Sequence, residues 1–168
     1  MTATLHHVLF LCTGNSARSI LAEAILNRLG AGRFQAHSAG SHPKGEVHPM
    51  AVELLREHGY ATSGLRSKGW EEFAQPGAPQ LALVVTVCDA AAGEACPVWP
   101  GAPVTAHWSL DDPAACEAST DQQRRAFRRT YHELTRRIER LVQLHLEALD
   151  PRELGARLDA LGSCEEPA

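Results

Sequence analysis

The sequence predicts a single α/β domain built on a parallel sheet with helices on both faces, and three observations predict it. Short aliphatic runs alternate with helical patterns along the chain. The clearest run, LALVVTV at 81–87, has no polar parity and suits an internal strand. The 168 residues are enough for one buried core without staples.

Each element follows in order. His7 to Leu11 is a short buried strand. Ala17 to Leu29 is a helix with Ile20, Leu21, Ala24 and Ile25 on one face and Gly30 as its stop. Phe34 to Ser38 is the second strand, followed by a turn-rich SAGSHPKGE and a helix that Pro49 opens and Gly59 closes. After a loop through Gly64 and Gly69, a short helix is expected at Trp70 to Phe73 and the third strand at Leu81 to Val87. Cys88 to Pro103, rich in Ala, Gly and Pro, is expected to be loop, and Val104 to Trp108 the fourth strand. From about Asp121 a long helix carries Phe127, Tyr131, Leu134, Ile138 and Leu141 in one stripe. Asp150 and Pro151 start a last short helix with Leu154, Leu158 and Leu161 on one side, and GSCEEPA is expected to be loose. The main domain is therefore placed at 1–149, with 150–168 as a C-terminal helix and tail. Crossovers between parallel strands are right-handed, and ligands of such sheets bind beyond the carboxyl ends of the strands. Cys12, Cys88, Asp111 and Asp112 all follow strands on that one edge.

Composition narrows the function. With 44% hydrophobic residues, 21% charged residues and a net charge of −4, the chain fits a soluble globular protein and has no general attraction for nucleic acid. Arg124, Arg125, Arg128, Arg129, Arg136 and Arg137 flank the stripe of the long helix as a solvated face. No apolar stretch approaches a membrane span and no secretion signal opens the chain, so a cytoplasmic location is expected. Five scattered cysteines, at 12, 88, 96, 116 and 164, match neither a disulfide framework nor a zinc site and fit reduced, reactive thiols. Nine histidines show no ligand spacing, so no metal is expected. His107 and Trp108 are expected to pack at the strand end.

The chemistry concentrates in CTGNSARS at 12–19, which joins a strand to the amino end of a helix. Gly14 and Asn15 tolerate left-handed dihedrals and can wrap Thr13, Gly14, Asn15, Ser16 and Ala17 into a concavity of N–H donors at the positive end of the helix dipole. Arg18 adds a bidentate fork to two oxygens of a tetrahedral oxyanion, and Ser19 can donate to the Cys12 sulfur. The same field favours a thiolate, so the segment binds an anion and aims a nucleophile at its centre. The alternative is a buried structural cysteine.

C-T-G-N-S-A-R-S after VLFL resembles the signature of the low-molecular-weight protein tyrosine phosphatase superfamily, and within it the arsenate reductases of that fold. HSAG at 37–40, RSKGWEEF at 66–73, VVTVCD at 84–89, CPVWPG at 96–101 and HWSLDDPA at 107–114 extend the resemblance over Val8 to Leu149. It implies a four-stranded parallel sheet, Cys12 as nucleophile, Arg18 and the loop backbone as oxyanion cradle, and Asp112, just before Pro113, as general acid.

A phosphatase would let water release the phosphate, whereas arsenate reduction needs two electrons and hence further thiols. In thioredoxin-coupled arsenate reductases, cysteines similar to Cys88 and Cys96 take those parts: Cys88 attacks Cys12 as arsenite leaves, and Cys96 then attacks Cys88. The resemblance implies no tightly bound cofactor and an external reductant, thioredoxin or glutaredoxin with glutathione. Cys116 and Cys164 have no such placement. Ala114, after Asp-Pro, offers no aromatic wall for a phenol, which favours a small oxyanion. Some relatives bind potassium through asparagine, glutamate, serine and aspartate. Asn15, Glu23 and Ser38 match three, but Lys68 stands at the fourth and can neutralise Glu23 without an ion. A monomer is the default expectation. Two alternatives stay open: a phosphatase acting on phosphotyrosine or small phosphomonoesters, in which Cys88 and Cys96 protect Cys12 from oxidation, and an oxyanion-binding module without turnover.

Overall fold

The computed structural model describes residues 5–93, 99–115 and 118–162, so Cys96, Cys116, Cys164 and the expected loose tail beyond Gly162 lie outside the described residues. Four strands, β1 (His6–Cys12), β2 (Phe34–Gly40), β3 (Leu81–Thr86) and β4 (Val104–His107), form one sheet in the order β2-β1-β3-β4. Every pairing is parallel. The central pair β1 and β3 carries the buried aliphatic runs, because a strand covered on both faces can spare no parity for polar side chains.

Among the described residues five α-helices connect and cover the sheet: α1 (Arg18–Leu29), α2 (Pro49–Glu57), α3 (Asp89–Ala92), α4 (Thr120–Leu141) and α5 (Pro151–Gly162). On one face Val8, Phe10, Leu83, Val85 and Trp108 pack with α1, α2, α4 and α5. On the other, Leu9, Leu11 and Val84 are closed over by the 3₁₀ turn Trp70–Phe73 and by Trp99. Both faces are thus covered, with the long helices gathered on one. The stripe Phe127, Tyr131, Leu134, Ile138 and Leu141 of α4 is buried, each side chain contributing about 1.5–3 kcal/mol of apolar transfer. Ser119 and Gln122 form a reciprocal capping box that sets its start.

One element differs from the sequence reading. Asp89–Ala92 is a turn of helix inside the expected loop: alanine is the best helix former, and the Gly93 N–H closes the turn on the Asp89 carbonyl at 3.2 Å. The C-terminal α5 is tied into the main core, with Leu154 and Leu158 buried and the Leu158 carbonyl accepting the Trp108 indole N–H at 2.9 Å.

Candidate functional site

Cys12 is the last residue of β1, and α1 begins at Arg18. Between them the chain is held by its carbonyls. Backbone N–H groups of Ser41, His42, Lys44 and His48 donate to the carbonyl oxygens of Cys12, Thr13, Gly14 and Ser16 at 2.9 to 3.3 Å. In a trans peptide the N–H points opposite to the C=O, so these bonds turn the N–H groups of Thr13, Gly14, Asn15 and Ala17 away from residues 41–48. The Asn15 N–H meets the Cys12 sulfur at 3.2 Å, which puts that sulfur on the donor side of the loop. Asn15 has φ +44°, the left-handed turn that the bend requires. A side chain at Gly40 would collide with the Thr13 carbonyl, so the end of β2 can lie this close only as glycine.

The start of α1 is left open. Ala17 is its N-cap and supplies no side-chain bond, and no acidic residue stands in the first turn. A helix with uncapped first-turn donors beside a nest of loop amides has the geometry of a cradle that can hold an oxyanion. Arg18 projects toward it, its Nη1 donating to the Leu110 carbonyl at 3.0 Å and its Nη2 lying 3.6 Å from Asp112 Oδ2. Asp112 is fixed in turn by the Ala114 N–H at 3.0 Å, and Pro113 begins the 3₁₀ turn Pro113–Ala115. The structure therefore brings Cys12, residues 13–19, Arg18 and Asp112 to one place.

Cys88 joins them from the next strand. Val87 N–H donates to the Leu11 carbonyl at 2.8 Å, so Cys88 follows β3 beside the exit of β1. Its sulfur is buried, 3.5 Å from Thr13 Oγ1, and receives the Ala91 N–H at 3.3 Å. Cys12 and Cys88 are both free thiols. Cys96 lies outside the described residues, as does Cys116.

Behind the cradle, Asn15 is fully buried and saturated. Its Oδ1 accepts the Lys68 backbone N–H at 2.9 Å and its Nδ2 donates to Ser19 Oγ at 2.8 Å. Ser38 Oγ donates to Glu23 Oε1 at 2.8 Å, and the Lys68 ammonium stands 3.8 Å from the same oxygen. Burial raises the Glu23 carboxyl above its ordinary range against the pull of Lys68, and burial lowers the Lys68 ammonium against the pull of Glu23. Among the described residues no group of three or more His, Cys, Asp or Glu side chains is gathered as metal ligands. His107, expected only to pack, hydrogen-bonds Thr86 and Asp89; no spacing signal in the sequence marks this, because the partners come from β3 and from the start of α3.

Comparisons with known proteins agree with this geometry. A family model described as low molecular weight phosphotyrosine protein phosphatase matches residues 7–153. The arsenate reductase of Halalkalibacterium halodurans is 35% identical over 136 residues, 81% of this chain and 94% of that protein. The glutaredoxin arsenate reductase of Synechocystis sp. is 30% identical over 135 residues, 80% of this chain and 95% of that protein. Among solved structures, the thioredoxin-dependent arsenate reductase of Corynebacterium glutamicum matches with a TM-score of 0.63 at 25% identity, over 88% of this chain and 65% of that one. No helix among the described residues is long and apolar enough to cross a membrane.

Proposed function

The chain belongs to the low molecular weight phosphotyrosine protein phosphatase family, and from that premise we propose that it reduces arsenate to arsenite by a relay of thiols. The observation that carries this reading is the second buried thiol, Cys88, touching the hydroxyl of the residue next to Cys12. Hydrolysis by water has no use for a thiol there, whereas a two-electron reduction requires one.

In this reading the amides of 13–17 and the Arg18 guanidinium hold the arsenate oxygens, and the Cys12 thiolate displaces one oxygen from arsenic. Asp112 gives the departing oxygen its proton, so water leaves and a Cys12 sulfur–As(V) bond forms. The Cys88 thiolate then attacks the Cys12 sulfur. The sulfur–arsenic bond breaks with its electron pair going to arsenic, which departs as arsenite, and a Cys12–Cys88 disulfide remains. The Ala91 N–H donates to the attacking sulfur, and Thr13 Oγ1 lies 3.5 Å from it. Cys96 attacks Cys88 next, freeing the Cys12 thiolate and leaving a Cys88–Cys96 disulfide.

An external dithiol protein of the thioredoxin or glutaredoxin type returns the two electrons, and no tightly bound cofactor takes part. The names of the relatives support both donor types. Such a cycle runs in a compartment that keeps thiols reduced, the cytoplasm. The residue after Asp112-Pro113 is Ala114, which leaves no aromatic wall for a phosphotyrosine ring and suits a small inorganic oxyanion.

Electron accounting tests it. Purified protein with arsenate, thioredoxin or glutaredoxin, the matching reductase system and NADPH should consume NADPH, and Cys88→Ser should abolish that consumption. Persistence of NADPH consumption in Cys88→Ser, or none with either donor in the native protein, would overturn the reading. A hydrolytic enzyme would instead turn over small aryl phosphates in the variant while arsenate drew no electrons.

A further inference from the structure

The segment carrying Cys88 is stapled by one imidazole. His107, the last residue of β4, lies opposite Thr86, the last residue of β3. Its Nδ1 is 2.7 Å from Thr86 Oγ1 and its Nε2 is 2.7 Å from Asp89 Oδ1. Thr86 and Asp89 flank Val87 and Cys88, so the ring closes the turn in which Cys88 sits. The Asp89 side chain is 78% exposed, yet it is drawn to β4 by this bond. The hydrogen bond from His107, followed by one from Ser109, holds the Asp89 carboxyl below the usual range. An ionised carboxylate only accepts, so the Nε2–H donates to Asp89, and Nδ1 shares a hydrogen bond with the Thr86 hydroxyl. On the far side the His107 backbone N–H donates to Asp159 Oδ1 of α5 at 3.1 Å, so the staple is anchored to the main core.

We propose that His107 is a positioning residue that, through Asp89, holds the start of α3 against β4 and keeps the Cys88 sulfur beside Thr13 for its attack on Cys12. This rests on the arsenate-reduction reading. His107 touches neither sulfur, and its effect on the reaction passes entirely through the placement of Asp89. Without the imidazole, Asp89 loses its 2.7 Å tie and is left to the bond from Ser109, and Thr86 Oγ1 is left to the Ala106 carbonyl, while the bonds of Cys12 and Arg18 described above stay in place.

The test compares His107→Ala, Asp89→Ala, the double variant and His107→Gln, whose carboxamide keeps an N–H donor toward Asp89. In coupled arsenate turnover, kcat should fall at least tenfold in each alanine variant with KM for arsenate within twofold of the native value. The double variant should be no worse than either single one, and His107→Gln should recover to within threefold of native. Amide hydrogen exchange at residues 89–91 should quicken at least tenfold in His107→Ala, whereas the alkylation rate of Cys12 should not change. An unchanged kcat in either alanine variant, additive losses in the double variant, or unchanged exchange at 89–91 would overturn the proposal. If His107→Ala does not fold, Asp89→Ala and His107→Gln carry the same comparison. If the native protein shows no arsenate turnover the functional reading fails, and the exchange data alone decide whether the staple exists.

Discussion

Asn15 directs the hydroxyl of Ser19. Its Nδ2 donates to Ser19 Oγ at 2.8 Å, and Ser19 Oγ lies 2.8 Å from the Cys12 sulfur. The orientation of the amide is not free, because its oxygen must face the Lys68 N–H. Ser19 Oγ thus accepts from Asn15 and shares a hydrogen bond with the sulfur, which also receives the Asn15 N–H. Asn15→Ala removes both side-chain bonds and puts at φ +44° a residue that tolerates the left-handed region less well than asparagine, and should lower stability by about 3 kcal/mol. Asn15→Gly accepts the dihedral and should lose about 1 kcal/mol less. Urea unfolding checks this, and equal losses in both variants would show that the dihedral carries no cost.

Arg18→Lys keeps the charge and discards the fork. A lysine ammonium cannot meet two oxygens of a tetrahedral anion while the Leu110 carbonyl and Asp112 position it, as they do Arg18. Inorganic phosphate should therefore protect Cys12 from alkylation on the order of tenfold to a hundredfold less well in the variant. Undiminished protection would mean that the amides alone bind the anion.

Glu23 and Lys68 form a buried pair whose members depend on each other. Lys68→Met should cost about 3 kcal/mol at pH 8, since an uncompensated carboxylate is left inside. Burial already raises the Glu23 carboxyl, so its folded value lies above its unfolded one. In Lys68→Met, the contribution of Glu23 to stability should be greatest at acid pH, where Glu23 is protonated in both states, and should be lost as pH rises through the raised value. Glu23→Gln combined with Lys68→Met should remove that pH dependence. Thermal unfolding at several pH values measures it.

His37 supplies the opposite sign. Burial, then the neighbouring His7, then Lys68 lower its imidazole to about 4. His7 Nδ1 and His37 Nε2 are 3.0 Å apart, a bond in which only one nitrogen carries the proton. Between pH 6.5 and 4 the unfolded chain takes up a proton at His37 that the folded protein refuses, so stability should decline as pH falls through that window. The midpoint of urea unfolding should drop less steeply in His37→Gln than in the native protein; identical slopes would remove His37 as the cause.

Much of the site could be read from residues 12–19 because its logic is local: a strand end, two residues tolerant of positive φ, and a helix start with arginine at its first position. The strands β1 and β3 were legible for the same reason, each holding a contiguous apolar run, and β2 and β4 as short segments bounded by turn-rich stretches. What could not be read depends on main-chain groups of distant segments. Nothing in SHPKGEVH at 41–48 announces that its N–H groups orient the loop 12–17, and no spacing shows that the Lys68 backbone N–H serves Asn15 while its ammonium serves Glu23. Helix α3 was hidden by a composition of alanine and glycine that suits loop and helix alike, and His107 by partners that meet it only once β3 and β4 are side by side.

The segment 41–48 grips the cradle through peptide nitrogens at Ser41, His42, Lys44 and His48. Side chains there can drift over evolutionary time without disturbing the grip, but an imino acid at any of those four positions would release one strut. The proline the segment does contain, Pro43, falls between two of them, at a position from which no strut to the cradle springs. Laboratory replacement of His42 by proline is thus a surgical way to loosen the anion nest while leaving every residue of 12–19 in its natural state.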